Sequence, residues 1–72
     1  MTDTHAVEFD FGNNWAEAIG QSAYYALKTG SKAGVVLVLD TVKDWKYWIR
    51  LNTTIQHFDL QIDTWCIGNA SY

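Results

Sequence analysis

Proline is absent from this chain of 72 residues, and cysteine occurs once, at Cys66. A single thiol excludes an internal disulfide framework and fits a reducing, cytoplasmic setting. Cys66 lies in an apolar stretch, where packing is its expected role. Basic residues are scarce as well, five Lys and Arg against eight Asp and Glu, for a net charge of -3. That balance argues against a protein held on nucleic acid by bulk electrostatics, because phosphate binding is driven by clustered Lys and Arg. No apolar run reaches the ~20 residues of a membrane span, so no membrane partner is expected. The opening MTDTHA also lacks the basic and apolar regions of a signal peptide. His5 and His57 have no second His or Cys at ligand spacing, which argues against zinc. No Ser-His-Asp set, phosphate-gripping glycine loop or deaminase signature occurs.

What is present is a dense apolar complement: 49% of the residues are hydrophobic, with four Trp, four Tyr and three Phe. Such a composition folds rather than staying disordered, yet a chain this short buries only ~60% of its unfolded surface. One small domain with a thin core is expected.

From Thr4 to Phe11 the residues alternate, Val7, Phe9 and Phe11 on one side and Ala6, Glu8 and Asp10 on the other, the period of a half-buried strand. On this reading the aromatic side packs and the acidic side meets solvent. Gly12-Asn13 breaks the strand, and Asn14 precedes Glu17 by three residues, the spacing of a helix-capping pair. The helix that follows runs to about Lys28. Trp15, Ala18, Ile19, Ala23, Ala26 and Leu27 form its apolar stripe, and Gly30 suits a left-handed cap. A second strand follows at Ala33 to Leu39, an unbroken run rich in β-branched residues and buried on both faces. Thr41 and Asp44 begin a second helix through about His57, with Trp45, Trp48, Ile49, Leu51, Ile55 and Phe58 at helical spacing. Ile62 to Ile67 complete a third strand. The result is an α/β fold, a minimal β-α-β-α-β unit with a three-stranded, mainly parallel sheet and two helices.

The order of the strands decides what the sheet must do. Crossovers between parallel strands are right-handed in nearly all cases. If the order is one, two, three, both helices fall on one face and leave the other bare, a patch that soluble monomers avoid. Self-association to a dimer is then expected, which would also supplement the thin core. If the third strand lies beyond the first, the helices cover opposite faces and a monomer suffices.

Glu8 and Asp10 are two apart on a strand, so their carboxylates share a side, roughly 7 Å apart along the chain. Paired carboxylates of this kind suit a hard divalent cation such as Mg²⁺ or Mn²⁺, which takes oxygen ligands and shares a phosphate. On the next helix Gln21 and Tyr25 are four apart and share a side. No organic cofactor is suggested by any motif.

From Val7 to Leu39 this arrangement resembles the PD-(D/E)XK nuclease superfamily, the restriction-endonuclease-like enzymes, with a Gln-x-x-x-Tyr spacing similar to that of the RecB-like branch. The final helix and strand fit the C-terminal part of such a domain. The resemblance implies a metal-dependent phosphodiester-cleaving ancestry, with Glu8 as the metal-binding acid and Gln21 and Tyr25 placing nucleic acid. Asp10 stands where the superfamily carries a lysine, and Lys28 or Lys32 are the neighbouring lysines that could take its place. The superfamily also has a helix and a hairpin before this strand, the hairpin supplying a first aspartate. Here seven residues precede Glu8, and Asp3, the one carboxylate among them, lies about 16 Å away along an extended strand. The chain therefore resembles a nuclease domain shortened at its start, incomplete or inactive by itself. The alternative is a non-catalytic, dimeric interaction or regulatory module on the same scaffold. Lys43, Lys46 and Arg50 on the second helix, interrupted by Asp44, read as a solvated face. Trp45 and Trp48 read as packing rather than base stacking.

Overall fold

A computed structural model describes residues 4–68 of the chain. Strand β1 (His5–Phe11) leads through a 3₁₀ turn at Gly12–Asn14 into helix α1 (Trp15–Thr29), then β2 (Lys32–Leu39). A second 3₁₀ turn at Val42–Asp44 opens α2 (Trp45–His57), and β3 (Ile62–Gly68) completes the sheet. All three strands are parallel, in the order β1-β2-β3. The expected α/β unit is therefore formed, with the strand order that puts both helices on one face.

Local chemistry accounts for the element ends. Gly30 closes α1 in the left-handed conformation, φ 69°, and its N–H returns to the Ala26 carbonyl, which also accepts from Ser31 at 3.0 Å. Only a residue without Cβ takes that conformation without steric cost. Before α2, Thr41 and Asp44 form a capping box, with the Asp44 carboxylate accepting the Thr41 N–H at 3.2 Å and the Asp40 N–H at 2.8 Å. Asn14 makes no side-chain cap on α1. Its amide is given to Asp10 instead, and a 3₁₀ turn carries the chain into the helix.

The core lies between the sheet and the two helices. Val35, Leu37 and Leu39 of β2 meet Ala18 of α1 and Leu51 of α2, all buried, with Trp15, Ile19, Trp45, Tyr47, Trp48 and Ile55 packed around them. Trp45 and Trp48 are thus packing residues, as expected. The apolar stripes are narrower than helical spacing suggested. On α1 the line that faces inward is Ala18, Ser22 and Ala26, while Leu27 is 82% exposed. On α2, Ile49 and Phe58 are exposed and Tyr47 takes a packed position. Ser22 satisfies its buried hydroxyl by donating to the Ile19 carbonyl at 3.0 Å, which is how a polar residue occupies an inward position.

The sides of β1 are reversed from expectation. Parallel register sets Ala6, Glu8 and Asp10 beside Ala33, Val35 and Leu37, on the helix-covered face. Phe9 and Phe11 stand beside Val36 and Val38 on the face that no helix covers, and are 63% and 56% exposed. Alternation identifies two faces of a strand; right-handed crossovers then put both helices against the smaller Ala6 side.

Candidate functional site

β1 is an edge strand, so one side of it carries no strand partner among the described residues. Glu8 lies at its centre, beneath α1, half-buried, and lines a hollow of about 220 Å³ with Ala6, Val7, Tyr25 and Thr29. Among the described residues nothing hydrogen-bonds or ion-pairs with the Glu8 carboxylate. Its oxygens are not among the buried unsatisfied atoms, so the carboxylate faces solvent from the edge strand and is open to a ligand. Tyr25 reaches the same hollow because α1 crosses directly over β1 and β2, and Thr29, four residues on, shares its side of the helix. The Thr29 hydroxyl donates to the Tyr25 carbonyl at 2.8 Å.

Asp10 is two residues along the same face. Its Oδ1 accepts from the Phe11 N–H at 3.0 Å and from the Asn14 side-chain amide at 3.1 Å, while Oδ2 makes no hydrogen bond among the described residues. Asn14 thus orients Asp10, a role that the sequence hints at only through their four-residue separation across a turn. The two carboxylates could supply two of the six oxygen positions of Mg²⁺ or Mn²⁺, the rest falling to water, phosphate or another polypeptide segment. No group of three His, Cys, Asp or Glu assembles among the described residues. Asp3 lies outside the described residues.

The remaining candidates are more dispersed. Gln21 is exposed on α1 one turn before Tyr25 and does not line the hollow. Lys28 is also exposed on α1 and outside the lining. Lys32 is not brought to Glu8: it begins β2 beside His5, and the alternation from buried Ala33 assigns it to the uncovered face. Sheet pleating thus sends Lys32 to the side opposite Glu8. Lys46 and Arg50 flank the Tyr47 ring at 5.0 and 5.7 Å on exposed α2 surface.

Compared with protein-family models, curated proteins and solved structures, the chain matches none. The site rests on its own geometry.

A second cluster escaped sequence reasoning altogether. On the uncovered face, His5 Nε2 and Asp63 Oδ2 lie 2.7 Å apart, joining β1 to β3 across the central strand. The Trp65 ring meets His5 edge-on at 5.5 Å and lies over Gly34, where an added Cβ would stand 2.9 Å from its Cζ3. His5 and Asp63 are 58 positions apart, and only the β1-β2-β3 order brings them together. No helix among the described residues is long and apolar enough to cross a membrane.

Proposed function

We propose that this chain is a nuclease-like domain related to the metal-dependent, phosphodiester-cleaving PD-(D/E)XK enzymes, with a metal site that is incomplete in one copy of the chain. The observation that carries this reading is Glu8, half-buried on the edge strand, whose carboxylate is unpaired among the described residues, open to solvent, and in one hollow with Tyr25. A strand acid and a helix tyrosine facing one hollow are what the superfamily resemblance requires of these two positions. In this reading Glu8 and the Oδ2 of Asp10 hold Mg²⁺ or Mn²⁺, and the cation would polarise a phosphate and lower the pKa of a bound water. Asn14 fixes the Asp10 carboxylate, and Tyr25 with Gln21 borders the path of the nucleic acid. The missing oxygens would come from a segment joining the free edge of β1, the side nearest Glu8.

A second reading is favoured by a different observation. Phe9, Phe11, Trp65 and Ile67 leave an apolar sheet face uncovered among the described residues, which suits a non-catalytic interaction module built on the same scaffold. Cleavage of labelled single- and double-stranded DNA in Mn²⁺, with Glu8→Ala in parallel, separates the two. Cleavage that disappears in Glu8→Ala supports the nuclease; no cleavage, or equal cleavage by both proteins, favours the binding module.

A further inference from the structure

We infer that the uncovered sheet face is the interface of a homodimer in which two copies stack face to face, strands running in the same direction, about a two-fold axis along β2. The inference deepens the second reading above and is independent of nuclease activity.

Area comes first. Phe9 and Phe11 keep 63% and 56% of their surface, Trp65 44% and Ile67 52%. At about 150–250 Å² per aromatic side chain, the three rings alone leave ~350 Å² open. With Ile67, Val7 and Val38 the face offers ~500 Å² per copy, so a pair would bury ~1,000 Å², the lower end for a specific interface. A weak, concentration-dependent dimer follows, with sheets about 10 Å apart and strands within about 30° of alignment.

Charge then selects the orientation. Among the described strand residues, the charged and titratable groups of this face stand at the β-strand starts: His5 on β1, Lys32 on β2 and Asp63 on β3. The other end carries Phe11, Val38 and Ile67, with exposed Asp40 just past the end of β2. Antiparallel stacking would press Asp63 onto the partner's Ile67, where an unpaired charge loses its hydration. Same-direction stacking about β2 carries β1 of one copy over β3 of the other. Phe9 then meets the partner's Trp65, Phe11 meets its Ile67, and Lys32 comes within reach of its Asp63 at the wet rim. Shape agrees. Gly34 makes the central strand low, and the Trp65 ring already leans across it, levelling the face for a flat partner. This interface lies on the side of the sheet opposite Glu8, so it does not complete the acidic site.

The test uses the whole chain with Cys66→Ser, to which Val38→Cys is added. Near the two-fold axis Val38 faces its own copy only in the same-direction arrangement; antiparallel stacking would set it against Gly34. The structure predicts a dimer by sedimentation at about 100 μM, a covalent dimer as the main product with a short thiol-specific bifunctional reagent, since Cα atoms about 10 Å apart exceed the ~7 Å limit of a direct disulfide, and at least a tenfold weaker dimer for Phe9→Lys with unchanged far-UV circular dichroism. A monomer at that concentration overturns the proposal, and so does a dimer that Val38→Cys fails to cross-link or that Phe9→Lys leaves intact.

Discussion

Leu37 is the side chain on which the core turns. It sits at the middle of β2, in register with Asp10 on β1 and Cys66 on β3, and is fully buried against Ala18 and Leu51. Leu37→Ala removes three buried carbons where two strands and two helices converge, a site with little freedom to collapse. Comparable truncations cost about 2.7–5 kcal/mol. A chain of this size has only about 4–11 kcal/mol of stability at ~0.05–0.15 kcal/mol per residue, so the variant loses from about a quarter of it to all of it. With a urea m-value of about 1 kcal/mol/M for so small a protein, the unfolding midpoint falls by ~3 M. Leu27→Ala is the matched control: the same chemical change at a residue 82% exposed on α1, expected to stay within about 0.5 kcal/mol. Both are measured at one protein concentration, because a dimer makes stability concentration-dependent. A shift below ~1 M for Leu37→Ala, or an equal shift for Leu27→Ala, would refute this placement of the core.

Two further substitutions probe the uncovered face and the second helix. Gly34→Ala sets a methyl 2.9 Å from Trp65 Cζ3, so the Trp65 indole resonance should move while those of Trp45 and Trp48 hold; an unchanged spectrum would mean that Trp65 does not lie across β2. Asp44→Ala strips the acceptor from the Asp40 and Thr41 amides and should lower stability by about 0.5–2 kcal/mol in urea unfolding, the range for a lost cap; an effect under ~0.3 kcal/mol would contradict the capping role.

The element order was legible because each element carries its own signal: period-two alternation in β1, the β-branched run of β2, and Gly30 and Asp44 at helix ends. What the residues left open was which way each strand faces. Phe9 and Phe11 look like core, and they are half or more exposed because both crossovers fall on the Ala6 side. Leu27 and Phe58 fit a helical stripe, yet with one sheet face and two short helices there is no third layer to receive them. Glu8 and Tyr25 lie on neighbouring elements, strand then helix, but that they share one hollow depends on how α1 crosses the sheet, which no spacing in the sequence encodes. The Asn14–Asp10 hydrogen bond replaced an expected cap because the 3₁₀ turn points the amide backwards. His5 with Asp63 required the strand order, which no local spacing encodes.

The proposed divalent-cation site comprises Glu8, Asp10 and the hollow under Tyr25. Its most direct test is a Mn²⁺ titration followed by amide NMR, where the unpaired electrons broaden signals near the bound ion. Binding at this site should broaden Glu8, Phe9, Asp10 and Tyr25 first, with Mg²⁺ in excess restoring them and Glu8→Ala abolishing the effect. Uniform broadening, or broadening centred on Asp59 or Asp63 and indifferent to Glu8→Ala, would contradict it.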